Sequence, residues 1–269
     1  MDRTPWQELP PAARRAVEAH SGTVEVAESA DKGVMSHLAC TLHTASGPVF
    51  VKGTRADDVS AWVYRTEARV TERAPLAPRL LWQAEAGGWL LMGYEYVPGR
   101  HPDLAPGSTD LAPLIDALDV MSAAAWPGDV GKKPLPVRWG ALIPDGRAHD
   151  LDGQTLVHTD MSPLNMLATP DGFRIVDWAL ACPGPDWADT AFTVPRLIHA
   201  GHTPEQAEAL ARRVPVYGNA STDAVSTFAH ALLAVWESRE KADPLPHRGA
   251  LITAARAWAN HRALTATWL

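Results

Sequence analysis

The sequence predicts an α+β protein in two lobes: a β-rich N-terminal lobe over 1–97 and a mainly helical C-terminal lobe over 98–269. Three observations predict it. Short β-rich runs with turn residues between them fill 23–96, Pro98-Gly99 breaks the chain, and helical periodicity with caps dominates from Ser108 onward.

In order, Pro11 to His20 reads as a short leading helix, and Thr23 to Glu28, Leu38 to Thr44 and Pro48 to Lys52 as strands. Asp57 and Asp58 look like N-caps of a helix to about Arg73, closed off by Pro75 and Pro78. Strands Arg79 to Gln83 and Trp89 to Tyr96 flank a Gly87-Gly88 turn. Ser108 to Ala125 is one helix, Thr203-Pro204-Glu205-Gln206 opens another as a capping box, and Thr222 to Lys241 and Pro246 to Ala263 supply two more. An island of strand interrupts this lobe: Thr155 to Val157, then Met166 to Ala168 and Phe173 to Val176 around Pro170-Asp171-Gly172.

Composition excludes several classes. With 46% hydrophobic and 20% charged residues the chain is ordinary globular protein, and no apolar run reaches the ~18 residues of a membrane span. The first ten residues lack a basic stretch followed by an apolar core, so no signal peptide is expected. Cys40 and Cys182 have no metal-ligand spacing, which fits a reducing cytoplasm. A net charge of −7 argues against nucleic-acid partners. Residues 101–204 hold 13 acids and 6 bases, so the whole excess lies there. That is either a solvated acidic surface or a field that attracts a cationic partner.

The chemistry concentrates in His158-Thr159-Asp160-Met161-Ser162-Pro163-Leu164-Asn165 and the following Ile175-Val176-Asp177-Trp178. Phosphoryl transfer needs a carboxylate to accept the proton of the attacking hydroxyl, and oxygen ligands for magnesium on the phosphates. A loop Asp, an Asn five residues on and a second Asp after an apolar strand supply that set. Each alone is also what a turn or cap requires.

This string resembles the H-x-D-x-x-x-x-N catalytic loop and metal-binding Asp of the aminoglycoside-phosphotransferase family, small-molecule kinases with a protein-kinase-like fold. The resemblance implies a bilobal kinase-like fold, Asp160 as catalytic base, Asn165 and Asp177 as magnesium ligands, and His158 as a structural loop residue. The family usually has Gly where this chain has Thr159, and protein kinases have Arg. Thr should leave the base intact, since that side chain points away from it in the family, and the missing Arg implies no phospho-switch. Gly184-Pro185-Asp186-Trp187-Ala188-Asp189-Thr190-Ala191 resembles the family's G-D-P-x-x-D-L-A element, where the second Asp anchors the catalytic loop; this makes Asp189 structural.

In the N-terminal lobe, Lys52 ends the apolar strand Val49-Phe50-Val51, where a kinase lysine holds phosphates and pairs with a helix Glu. Val59, Val63, Val70 and Ala74 form an expected inward stripe with Glu67 in its gap, and a carboxylate there needs a partner. Glu72 shares a face with Arg65 and Arg69, so Glu67 is the expected partner of Lys52. The run Tyr94-Glu95-Tyr96-Val97-Pro98-Gly99 looks like a kinase hinge, in which the Glu95 carbonyl and Val97 N–H read adenine. The stretch Ser29 to Ser36 offers Gly33 and Ser36 as phosphate contacts, and a plain hairpin turn equally; no Walker motif is present.

His158, Asp160 and Ser162 do not make a hydrolase triad, because no G-x-S-x-G elbow exists. His199 and His202 are expected at a surface helix end, and Trp236 and Trp258 in the core, an aromatic wall for a ring-bearing substrate being the alternative. The resemblance spans roughly 20–200 and fades after about 205, where the family's substrate choice resides. It implies an ATP- and Mg2+-dependent transferase acting on a hydroxylated small molecule, an antibiotic or a metabolite. The acidic middle favours a cationic acceptor, while the C-terminal helices, which are not acidic, weaken an aminoglycoside. A kinase of Ser or Thr in a precursor peptide and a nucleotide-binding pseudokinase are the alternatives, the intact Asp160, Asn165 and Asp177 counting against the latter.

Overall fold

The computed structural model of the chain describes residues 3–30, 36–246 and 248–266. Two compact units emerge, one of residues 1–100 with 174–180, the other of 101–173 with 181–269.

The first unit is built on an antiparallel sheet of β1 (Val24–Ser29), β2 (Leu38–Thr44), β3 (Gly47–Arg55), β4 (Leu80–Ala86) and β5 (Trp89–Glu95), in the order β1-β2-β3-β5-β4. Helix α1 (Pro11–Ser21) covers one face, where Ala13 and Val17 pack with Leu38, Cys40, Leu42, Val51, Trp89 and Leu91. Helix α2 (Ala61–Thr71) covers the other, where Ala61, Tyr64 and Ala68 pack with Leu90, Met92 and Tyr94. Side chains alternate along a strand, so Val51 faces α1 and its neighbour Lys52 faces α2. Covering both faces also explains why β5 is apolar without a break from Trp89 to Met92. At Gly93 any Cβ would stand 2.2 Å from the Trp82 ring on β4, so the ring requires that glycine.

Two expectations for α2 change. The helix starts at Ala61, later than Asp57 or Asp58 would cap it; Asp58 instead accepts hydrogen bonds from the Ser60 backbone N–H and hydroxyl in the preceding turn. Val59 therefore lies outside the helix and is 90% exposed, and the buried face is Tyr64, Glu67, Ala68 and Thr71. Those residues follow the i, i+3, i+4, i+7 spacing of a packed helix.

The second unit is mainly helical: α3 (Leu111–Ser122), α4 (Leu135–Trp139), α5 (Ala188–His199), α6 (Pro204–Ala211), α7 (Pro215–Gly218), α8 (Thr222–Ala242) and α9 (Arg248–Ala266). Thr203 and Gln206 form the full capping box at α6. Trp139, Trp187, Phe192, Phe228 and Trp258 pack ring against ring in its centre, with Trp139 and Phe228 centroids 5.1 Å apart. Beneath them Glu208 and Arg262, both buried, pair at 3.2 Å, and the Trp258 indole N–H donates to Glu208 at 2.7 Å. His202 is buried against the Leu104 carbonyl at 2.9 Å, not at the surface, while His199 is exposed as a helix end should be.

Strand β6 (Thr155–Val157) pairs antiparallel with β9 (Cys182–Gly184), a short strand without a sequence signal of its own. Between them β7 (Met166–Thr169) and β8 (Gly172–Ile175) make a hairpin closed by a Thr169 hydroxyl bond to the Gly172 carbonyl. Among the described residues no helix is long and apolar enough to cross a membrane.

Candidate active site

In the first unit, Lys52 is 7% exposed and its ammonium donates to both carboxylate oxygens of Glu67, at 2.9 and 3.0 Å. It also donates to Asp177 Oδ1 at 2.6 Å. Burial alone would push the Lys52 pKa down; the charges of Asp177 and Glu67 outweigh it and hold the ammonium above the ordinary lysine range. Glu67 is 3% exposed, whereas Glu72 lies at the exposed C-cap of α2. The Lys52 ammonium also lies 5.5 Å from the Tyr64 ring centroid, and the Tyr64 hydroxyl donates to the buried Ser36 at 3.2 Å. Ser36 is thus tied, through one tyrosine, to the side of α2 that meets Lys52.

Asp177 follows β8 with a φ of 65°, in the left-handed region that non-glycine residues seldom occupy. It is anchored on both sides: Ile175 N–H donates to the Leu76 carbonyl at 2.9 Å, and the buried Trp178 indole donates to the Ile175 carbonyl at 2.8 Å. Glu95 closes β5, its N–H on the Arg79 carbonyl at 2.9 Å, and Val97 follows outside any regular element with a backbone N–H that makes no backbone hydrogen bond among the described residues. Gly33 lies outside the described residues.

In the second unit, the buried carboxylate of Asp189, in the first turn of α5, accepts the backbone N–H groups of His158 at 2.8 Å and Thr159 at 3.0 Å. Burial pushes the Asp189 pKa up, opposed by His158 and by the two backbone donors. His158 is fully buried and its Nδ1 accepts the Asp160 N–H at 3.2 Å, a structural use of the ring. These bonds hold Thr159 at a φ of 70°, a conformation unusual for a β-branched residue.

Asp160 follows with its side chain part-exposed. The Asn165 amide donates to its carbonyl and to its Oδ2, each at 3.1 Å, and Arg196 Nη2 donates to its Oδ1 at 3.1 Å. Asn165 stands at the end of a short 3-10 turn capped by Ser162, whose hydroxyl accepts the Leu164 N–H at 3.3 Å. No motif in the sequence marks Arg196. The available signal was chemical: it is one of only two charged residues in the apolar stretch Ala188 to Leu197, the other being Asp189.

The two candidate ligands present oxygen atoms, the donor type magnesium takes. Lys52, Glu67 and Asp177 together carry one more negative than positive charge, and the Asp177 side chain is 37% exposed with Oδ1 on Lys52 and Oδ2 as its second oxygen. Asn165 spends its amide hydrogens on Asp160, which leaves its carbonyl oxygen as the group with ligand character. Each of these oxygens, taken within its own unit, is of a type that magnesium accepts alongside water and phosphate.

No protein-family model and no curated protein sequence matches the chain. Solved structures do. Choline kinase LicA from Streptococcus pneumoniae aligns with a TM-score of 0.63 at 14% identity, over 92% of this chain and 99% of that one. An aminoglycoside phosphotransferase from Alicyclobacillus acidocaldarius gives 0.59 at 13% identity, over 98% and 99%. A spectinomycin phosphotransferase in complex with ADP and spectinomycin gives 0.58 at 12%, over 93% and 94%. The chain has the protein-kinase-like α+β fold that aminoglycoside phosphotransferases and choline kinase share.

Proposed function

We propose that this chain transfers the γ-phosphate of ATP to an alcohol group of a small molecule, with magnesium. The observation that carries the proposal is the buried Lys52, held charged between Glu67 and Asp177 in a fold shared with phosphotransferases. A charged lysine that is desolvated and fixed by two carboxylates is poised to bind phosphate oxygens. The Glu95 carbonyl and Val97 N–H would read adenine, and Ser36 and Gly33 would cover the phosphates. Asn165 and Asp177 would hold the metal ion, whose charge offsets that of the phosphates in the transition state.

Asp160 is the proposed base. Asn165 and Arg196 grip one carboxylate oxygen each, which fixes the plane of the carboxylate without moving its charge. Asp189 sets the backbone on which it stands. The acceptor hydroxyl would give its proton to Asp160 as its oxygen attacks phosphorus and the bond to the ADP oxygen breaks.

Calorimetry with ATP tests the nucleotide half. Affinity should fall on addition of EDTA and again in Asp177→Ala; equal binding without metal removes Asp177 from its role. Asp160→Asn should lower kcat by about 10²–10⁴ and leave ATP affinity within a few-fold. Full turnover by that variant on a verified acceptor would show that Asp160 is not the base, and ATP binding with no acceptor turned over by wild type would favour a pseudokinase.

A further inference from the structure

Trp236, which its sequence context places either in the core or in an aromatic wall for a substrate ring, has a third use in the structure. It lies on α8, 9% exposed, and the Arg196 guanidinium stands over its ring, 5.4 Å from the centroid. That is inside the ~6 Å over which the negative face of an indole attracts a cation. From there Arg196 reaches Asp160, its Nη2 donating to Oδ1 at 3.1 Å. Ring, guanidinium and carboxylate thus form a chain of contacts from α8 through α5 to the loop after β6, all within the second unit.

The Arg196 side chain is 15% exposed, and among the described residues Asp160 is the only carboxylate within ion-pair distance of it. Burial holds its pKa below the ordinary arginine range, with the charge of Asp160 opposing, so the guanidinium is largely desolvated. An arginine side chain carries much rotamer freedom, and a carboxylate bound to an unsupported guanidinium would wander with it. The Trp236 ring restricts that freedom. Asn165 holds the other oxygen of Asp160, Oδ2, at 3.1 Å. A carboxylate oxygen has two acceptor sites and each donor uses one, so Asp160 keeps sites for an acceptor hydroxyl. Phosphoryl transfer draws on the protein chiefly for positioning, and a misplacement of about 1 Å can cost about 10²-fold in rate.

We propose that Arg196 and Trp236 are positioning residues for Asp160: Arg196 sets the orientation of the carboxylate, and Trp236 acts one contact further out by fixing Arg196. The inference rests on Asp160 as the base proposed above. It gives α8 a hold on the reacting centre, through a ring whose face Arg196 occupies and withholds from a substrate.

The test follows phosphate transfer from ATP with magnesium by the full chain, on an acceptor found by screening hydroxylated small molecules. Arg196→Met should lower kcat about 10- to 100-fold, the range of a lost charged hydrogen bond. Trp236→Leu should lower it about 3- to 30-fold, the range of a lost cation–π contact. Both should leave the acceptor and ATP KM within about twofold, as expected of groups that act on the transition state. Trp236→Phe, which keeps a ring face, should recover most of the loss. In Arg196→Met, adding Trp236→Leu should change kcat by less than about twofold, because the ring then has no guanidinium to hold. A tryptophan that only fills the core would add its loss to that of Arg196→Met. Additive losses, or losses carried by the acceptor KM, overturn the inference and leave the kinase proposal standing. NMR of the wild-type guanidinium decides when a variant fails to fold or no acceptor is turned over. Rotation of the Arg196 guanidinium should be slow and should quicken in Asp160→Ala, and its side-chain protons should be shifted upfield by the indole ring. That result supports the clamp on Asp160 even where the phosphotransferase reading fails. Fast rotation in wild type, rotation unmoved by Asp160→Ala, or no upfield shift overturns the inference.

Discussion

Replacing Lys52 by Met removes the charge on which two carboxylates converge. Glu67 is 3% exposed and accepts from the Lys52 ammonium with both oxygens, so Lys52→Met breaks a buried ion pair. Such breaks cost about 3–5 kcal/mol. Glu67→Gln costs less, because Lys52 keeps Asp177 at 2.6 Å; the loss is that of charged hydrogen bonds, about 1.5–3 kcal/mol. In the double variant neither charge of the pair is left behind, so its cost should fall short of the sum by roughly 2 kcal/mol. The pH dependence follows from the sign of the Lys52 shift, which is upward. A raised folded-state pKa means the stabilisation is complete below the unfolded lysine value of about 10.4 and is lost only as pH rises through the folded value. The cost of Lys52→Met should therefore be flat from about pH 6 to 9. Hydrogen exchange of β2 and β3 amides reads the stability of this unit directly, which a global melt of two compact units does not. Strictly additive costs, or a strong pH dependence near neutrality, would refute the coupled buried pair.

Thr159→Gly should be neutral to stabilising by up to ~1.5 kcal/mol: a left-handed non-glycine residue costs about 1–2 kcal/mol, less about 0.5–1 for glycine's freedom in the unfolded chain. Thermal midpoints decide, and a marked loss would mean that the Thr side chain is needed. Arg262→Met takes one buried partner from Glu208 but leaves it Arg212 at 3.2 Å and Trp258 at 2.7 Å. The loss is then that of charged hydrogen bonds, about 1.5–3 kcal/mol; urea midpoints read it, and no loss would remove the pair from the core's stability. Asp189→Asn places an amide donor against one of two backbone N–H groups and should cost about 1–3 kcal/mol. Because the folded Asp189 pKa is raised, wild type gains on the variant as pH falls toward the unfolded value near 3.9 and loses that gain as pH rises through the folded one. A gap that widens with rising pH in stability measurements from pH 3 to 7 contradicts that shift.

The sequence by itself determined the features that depend on near neighbours. The strand alternation that sends Lys52 to the opposite face from Val51, the β6 strand at Thr155–Val157 and the Thr203–Gln206 capping box are written in residues a few positions apart. The spacing of Asp160, Asn165 and Asp177 was legible for the same reason. Glu67 pairs with Lys52, but on a helix face other than the Val59–Ala74 stripe that the spacing predicts. Val59 fell outside a helix whose start is fixed by the Asp58–Ser60 turn, and the face that buries Glu67 is instead that of Tyr64, Ala68 and Thr71. Only tertiary structure decided that Arg196 grips Asp160 from 36 residues away, that Asp189 holds the Thr159 backbone from 30, and that His202 is buried on Leu104 from 98. No periodicity encodes such partners. They are selected when distant segments lose water together and each buried charge or polar group must find its complement on whichever element packs against it.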